Sequence, residues 1–551
     1  MIIRKCKLTA VFFCLFFNLI GLNLVAQISD GGHPFSFSLD LDIREVSTLF
    51  MPPVNVEELI REDEELSKDK TPRPFRFGYV IDADIDLKRF GTLKQLDNGD
   101  KLWLLKIHSE NAYSINLIYN HFRLSRGSKL FIYNEDRSMV LGAFTPEVSN
   151  NQYNEFATDL VQGNTIILEY YEPEYSNDGV INISQVIHSY INTFSSTFSA
   201  GLGRSAECNI DINCQLGSIY ERRAISLIVM GNYFCSGCLI NNTKQDLTPY
   251  FLTARHCFYN INTGQPYTDR SMATSIFRFL YWRPYCGSGN PVNWVSITGS
   301  SMRANYVITD FLLLQLLSTP PRSYNLYYGG WDRISIPAQN ATGLHHPRGD
   351  AMKFCYTSNP VTPVAVTIWN NSTTLSHWRA TFTQGIAQHG SSGSPLFNQH
   401  HKIVGQLTGN QNDICGPNES ANLCHCIQTP IGEYGRFDLS WNGSGFNGER
   451  LSNYLDPTPS TNQMALGGLF YCDYTTLTGI QWSKKVDCIE ITIQNATVPN
   501  GEILELKATN KITINSGVTV QTGGTLILDA GAGVSINSGY TVESGATLII
   551  R

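Results

Sequence analysis

The strand-length apolar runs LWLLKIHS (102–109), INLIYNHFRLSRGSKLFIYN (115–134), GAFTPE (142–147) and NTIILEYYEP (164–173) are separated by turn residues. They predict a β-rich domain over about 75–175. A second β-rich stretch of the same texture follows over about 205–457. Ahead of both, Pro52, Pro53, Pro72 and Pro74 surround the charged run 57–70, which reads as a short helix or a solvated linker without chemistry of its own. The tail differs again. KITINSGVTVQTGGTLIL (511–528) returns as GVSINSGYTVESGATLII (533–550), with Ser516-Gly517 and Ser538-Gly539 spaced 22 residues apart. Alternating β-formers with glycine turns at a fixed period predict stacked solenoid rungs, with paired hairpins of a small sandwich as the alternative.

At the other end, the cationic residues 1–7 precede an apolar run from Leu8 to Ala26, interrupted by Asn18, Gly21 and Asn23. This is the pattern of a secretory signal cleaved near Ala26 or Gln27, and it predicts a secreted or cell-surface protein. The expected division is a signal peptide over 1–26, a propeptide over 27–204, a catalytic domain over 205–457 and a C-terminal β-repeat module over 458–551.

Composition changes this picture little. Of the 551 residues 42% are hydrophobic and the formal charge is −7, so no strongly basic field points to nucleic acid, and protein or peptide partners fit better. Cysteine placement says more. Of 14 cysteines, Cys6 and Cys14 fall in the signal and the remaining 12 lie at or beyond Cys208. An even number in an exported chain predicts disulfides, and the cysteine-free stretch before Cys208 has a different plan.

Three segments carry candidate chemistry. Gly390-Ser391-Ser392-Gly393-Ser394-Pro395 is a small-residue turn that lets the amides of Gly390 and Ser392 face one concavity, as an oxyanion hole requires. In Tyr250-Phe-Leu-Thr-Ala-Arg-His-Cys257 an apolar strand ends at His256, and a Cys235–Cys257 bridge would fasten the two strands presenting it. Asp310 opens the run FLLLQLL and, at the edge of a buried strand, needs a partner that a histidine N–H supplies. Together they predict Ser392 as nucleophile, His256 as general base and Asp310 as the group orienting that base.

The order His, Asp, Ser, with Cys-Ser-Gly before the His-Cys pair, resembles the chymotrypsin-like proteases. Further segments resemble the bacterial lysyl endopeptidase family: Cys208-Asn-Ile-Asp-Ile-Asn-Cys214, Gly330-Trp-Asp-Arg333, His345-His-Pro347, Gly405-Gln-Leu407, Tyr434-Gly-Arg436 and Leu455-Asp-Pro457. That resemblance implies a secreted serine endopeptidase without a cofactor, built as two six-stranded antiparallel β-barrels with the triad in the cleft between them. It also implies disulfides Cys208–Cys415, Cys214–Cys286 and Cys235–Cys257. Cys472–Cys488 is expected at the start of the tail, and Cys238, Cys355, Cys424 and Cys426 are left over. Cys424-His425-Cys426 has the residue types of a metal cluster, but disulfide usage argues against a metal. The cysteine-free region resembles a propeptide of such enzymes, with maturation expected around Ala200 to Ser205 and Arg204 a candidate cut site.

Specificity does not follow. A lysine pocket needs a buried carboxylate. The family's pocket acid is replaced by Gly432, the histidine after Gly-Gln-Leu by Thr408, and the trypsin-type acid position by Ile386. Thr408, Gly432 and Glu433 are therefore the candidate pocket residues, with Glu433 or Asp413 as alternative acids. Ser391 stands where animal trypsins carry the aspartate that receives the new N-terminus, so control by an occluding or folding-assisting prodomain is expected instead. The rival reading is a surface adhesion protein in which the tail makes cell-surface or glycan contact and the protease-like domain is an inert scaffold. An esterase lacks its nucleophile-elbow context, because β-rich sequence rather than a helix follows Ser392.

Overall fold

The computed structural model describes residues 31–39, 41–67, 71–194, 205–215, 220–260, 263, 265–291, 294–366, 374–409, 430–458, 463–480 and 484–551, together with the short strands Asn23–Leu24 and Ala26–Gln27. Most of the expected signal lies outside these residues, as do Arg204, Asp413, Cys415, Cys424, His425 and Cys426. Strands dominate throughout, in keeping with an all-β chain. Among the described residues no helix is long and apolar enough to cross a membrane.

The first β-rich region folds as two sheets. One carries Met139–Phe144, Lys129–Asn134, Thr165–Glu172 and Lys101–His108, and the other Ser114–Arg123, Val180–Ser189 and Gly78–Asp86. Leu105 and Ile107 from one sheet and Ile115, Leu117 and Ile187 from the other share a single core. The charged run forms the helix Val56–Ser67, whose one buried apolar residue, Leu59, joins that core.

That core does not stop at the domain edge. Leu227, Val229, Phe234, Ile276, Tyr281 and Trp294 of the following region belong to it. Across the same boundary, Arg278 and Asp159 form an ion pair at which both side chains are 0% exposed, and Ser296 Oγ donates to Asp159 Oδ2 at 2.7 Å.

The second region holds two antiparallel sheets. The first runs Val295–Thr298, Ile276–Phe279, Ile225–Met230, Tyr233–Leu239, Tyr250–Ala254, Phe311–Leu316 and Ser300–Tyr306. Val295–Thr298 and Ser300–Tyr306 are separated only by Gly299, whose φ of +89° is cheap only for glycine. The second sheet runs Lys353–Thr357, Ala341–His345, Pro395–Asn398, Ile403–Gly409, Ile431–Arg436, His377–Thr381 and Thr362–Val364, with the short edge strand Ile210–Asp211.

The tail is a solenoid and not a pair of hairpins. Its strands pair in parallel with a 22-residue offset, Thr525 opposite Thr547 and Val518 opposite Tyr540. Leu504, Leu506, Ile512 and Ile514 fill its inside, and Asn537 Nδ2 donates to Asn515 Oδ1 at 2.8 Å one rung away. The first rung is anchored on the preceding domain, because Tyr327–Tyr328 pairs with Gly468–Ile480; within the tail, Cys472 is bridged to Cys488 in the adjacent strand.

Candidate active site

Strand register brings His256 and Asp310 together. Tyr250–Ala254 and Phe311–Leu316 pair antiparallel with Ala254 opposite Phe311, so the residues just beyond these ends are neighbours. His256 sits in the short 3-10 turn Arg255–Phe258 that follows the first strand. Asp310 immediately precedes the second at φ +53°, a left-handed conformation that costs a non-glycine residue on the order of 1–2 kcal/mol. The Arg255 N–H donates to Asp310 O at 2.7 Å and holds it there.

The carboxylate is then divided. Oδ1 accepts from the His256 N–H at 3.0 Å and Oδ2 from His256 Nδ1–H at 2.7 Å. With its proton on Nδ1, the imidazole presents Nε2 as an acceptor, and this buried atom has no hydrogen-bond partner among the described residues. The Cys235–Cys257 disulfide ties the next residue to the strand Tyr233–Leu239.

That strand also carries the Ser392 turn. Ser236 N–H donates to Ser392 O at 2.8 Å, Ser236 Oγ donates to Gly390 O at 2.8 Å, and Cys257 Sγ lies 3.8 Å from Ser392 O. Gly390 and Gly393 have φ of +89° and +85°, and a Cβ on Gly393 would collide with Thr253 Oγ1 and Ser236 O. Within the turn the amides of Ser391, Gly393 and Ser394 donate to Gln388, Leu407 and Ser391 carbonyls. Those of Gly390 and Ser392 donate to none of the described residues. Two unspent N–H groups thus flank Ser392, and His256 Nε2 makes no hydrogen bond to Ser392 Oγ or to any other described residue; unspent amides and an unspent imidazole nitrogen are the groups that carbonyl attack calls on.

Three residues near this site escaped the sequence reading as contributors. Ser236 was legible only as the middle of Cys-Ser-Gly. His345 Nδ1 lies 2.7 Å from Ser391 Oγ, and burial pushes this histidine down to about 3. His377 bridges Ser376 Oγ at 2.8 Å and Thr408 Oγ1 at 3.0 Å, and burial lowers it to about 4 against the opposing pull of the Asp310 charge.

The candidate pocket residues lie on the paired strands Ile403–Gly409 and Ile431–Arg436. Thr408 is fully buried with its hydroxyl engaged by His377. Glu433 is buried and already neutralised by Arg379, directly opposite on the neighbouring strand, whose Nε donates to it at 3.0 Å. At Gly432 a Cβ would meet the Tyr434 ring at 2.8 Å and the Phe382 ring at 2.9 Å, so the position is walled by aromatics.

Cys214–Cys286 and Cys235–Cys257 pair as expected, and Cys208 is disulfide-bonded, its expected partner lying outside the described residues. Cys238 and Cys355 are buried and unpaired, and burial raises both thiols away from reactive thiolate. Donor atoms of Cys235, His256 and Cys257 cluster within 4.8 Å, but both sulfurs are spent in the disulfide and are poor metal ligands.

Residues 202–422 match the family described as the lysyl endopeptidase C-terminal domain. Over that stretch the chain is similar to lysyl endopeptidases. A lysyl endopeptidase of Pseudomonas aeruginosa is 28% identical over 287 residues, covering 48% of this chain and 58% of the relative. The chain thus matches a little over half the length of this lysyl endopeptidase. Two inactive-form structures of the Rv3671c protease of M. tuberculosis align at 10% and 12% identity over 43% and 41% of this chain and 91% and 89% of theirs. Their TM-scores are 0.26 and 0.24.

Proposed function

We propose that this lysyl endopeptidase-like chain is a secreted serine endopeptidase. The observation that carries this reading is His256, held by Asp310 at Nδ1 with Nε2 uncommitted, beside a serine turn with two unspent amides. Ser392 Oγ attacks the scissile carbonyl carbon as its proton passes to His256 Nε2. The oxyanion is received by the N–H groups of Gly390 and Ser392. Collapse breaks the C–N bond, the amine leaves with the proton from His256, and an acyl-Ser392 ester remains. Water, deprotonated by the same imidazole, then hydrolyses the ester and restores the serine.

The aromatic wall at Gly432 and the Arg379–Glu433 pair favour a neutral or apolar primary pocket over a lysine pocket. Residues 27–204 act as a propeptide, and the segment after the expected cut is already seated, with Ser205 Oγ donating to Asp350 Oδ2 at 2.7 Å and Ala206 N–H to Gln388 Oε1 at 2.9 Å. The solenoid is the part suited to cell-surface or glycan contact.

A fluorophosphonate probe tests the reading. Covalent labelling lost in Ser392→Ala supports it, and the absence of Ser392-dependent labelling in the processed protein sinks it. A peptide-library cleavage profile then reads the pocket, with strict cleavage after lysine counting against the neutral assignment.

A further inference from the structure

The Ser392 turn lies between two strand edges. On one side its carbonyl is held by Ser236 N–H, so Phe234, two residues earlier on that strand, flanks it. On the other, Gly393 N–H donates to Leu407 O at 2.7 Å and Leu407 N–H to Ser394 O at 2.8 Å, so Gly409 flanks it from the second sheet. An extended peptide crossing Ser392 has these edges to lie against.

Both edges already touch one segment of the N-terminal domain. Phe75 and Arg76 pair antiparallel with Phe234 and Tyr233, and Phe77 N–H donates to Asn232 O at 3.0 Å. The Phe77 ring stacks on Phe234 with centroids 3.9 Å apart. At the other edge a Cβ on Gly409 would sit 3.7 Å from Pro72 Cγ, which puts the Pro72 ring over this glycine. Between the two contacts, the Phe75 ring lies 5.4 Å from the Arg348 guanidinium, and Arg348 N is 2.7 Å from where a Gly390 Cβ would be.

We propose that Pro72–Arg76 is a strap bound along the active-site cleft as an extended peptide, with Arg73-Pro74 crossing in front of Ser392. The proposal rests on the protease reading above and names the occupant of that site. The sequence is suited to the task. Each proline fixes its own φ and drives the residue before it into an extended conformation, so Thr71 to Pro74 loses little freedom on docking. The 73–74 amide nitrogen is closed into a ring, which hinders its departure as an amine. Arg73 Nε donates to Thr71 O at 3.4 Å, bending its side chain back along its own strap. The same cleft is therefore expected to take external peptides of the type Pro-Arg-Pro-aromatic-basic as inhibitors.

The test uses the full chain and the rate of Ser392 labelling by a fluorophosphonate. The Pro72→Gly/Pro74→Gly/Phe75→Gly variant is expected to label about 10-fold faster than wild type, as loss of roughly 1.4 kcal/mol of occlusion implies. The synthetic hexapeptide Thr-Pro-Arg-Pro-Phe-Arg should slow the variant again, and a scrambled peptide of the same composition should not. If the triple variant does not fold, Phe75→Ala alone is expected to give a smaller acceleration. Equal rates in wild type and variant, both dependent on Ser392, overturn the strap and leave the protease reading standing. Equal suppression by the scrambled peptide also overturns it. Absence of Ser392-dependent labelling in every chain is instead failure of the protease reading.

Discussion

His345 Nδ1 lies 2.7 Å from Ser391 Oγ, one residue before the proposed nucleophile, and both side chains are buried. The same hydroxyl is 3.3 Å from the Gln388 amide, so Ser391 closes the loop that aims the Gly390 and Ser392 amides. His345 is a positioning residue by this geometry. His345→Phe is expected to lower kcat by about 10-fold, less than the ~10²–10³ of deleting an oxyanion donor outright, with KM nearly unchanged. His345→Gln, which keeps a hydrogen-bonding group, should recover part of the loss. A KM rise with kcat intact would show that the pair shapes binding and not the turn.

Ser236 offers a second test of the same turn. Its Oγ donates to Gly390 O at 2.8 Å and accepts from the His346 N–H at 3.0 Å, joining the turn to the His345-His-Pro347 loop. Ser236→Ala leaves a buried acceptor and a buried donor unpaired, each worth about 1–3 kcal/mol. Urea denaturation should show a loss of that order, and steady-state kinetics a fall in kcat. Unchanged stability with unchanged kcat would mean the turn is held by its own backbone.

The candidate catalytic residues were legible because their chemistry needs particular residue types in particular settings: glycines at positive φ around Ser392, a histidine at a strand end, an aspartate at the mouth of a buried strand. The 22-residue repeat likewise announced its solenoid. The pocket was not legible, because it depends on which side chains are already spent. Glu433 is an unassigned acid in the sequence, and its charge is seen to be offset only when strand register sets it opposite Arg379. Thr408 is taken by His377, 31 residues away in sequence. The Arg278–Asp159 pair was invisible for the same reason, since its partners are 119 residues apart and each is unremarkable alone.

That pair fastens the two β-rich regions, and its cost is one-sided. Removing the carboxylate strands a guanidinium that is 0% exposed. Asp159→Ala is therefore expected to destabilise the full chain by about 3–5 kcal/mol, whereas replacing both partners by leucine should cost much less. Chemical denaturation of the two variants checks this, and equal losses would refute it.

Stability should also fall on mild acidification. Burial lowers His346 and His377 from 6.5 to about 4 and His345 to about 3, so the folded chain holds them neutral while the unfolded chain protonates near 6.5. Their contribution is complete above pH 6.5 and is lost as pH drops from 6.5 towards 4. For His377 alone the full shift corresponds to about 3 kcal/mol. Urea midpoints measured from pH 7.5 to 4 should decline across that window, and His377→Gln should flatten the decline.

Gly432 has no room for the acid that its position suggests. Restoring the family's acid there looks like a one-residue route to lysine specificity, but the added Cβ would meet the Tyr434 and Phe382 rings at 2.8 and 2.9 Å. Overpacking of this kind costs about 1–3 kcal/mol, and a carboxylate pressed on aromatic carbon has no partner until substrate arrives. Gly432→Asp alone is therefore expected to lower stability without directing cleavage to lysine. Gly432→Asp with Phe382→Ala opens room for the carboxylate, and a peptide-library profile should then shift towards lysine and arginine. A clean lysine preference from Gly432→Asp alone would show that the aromatic wall yields without help.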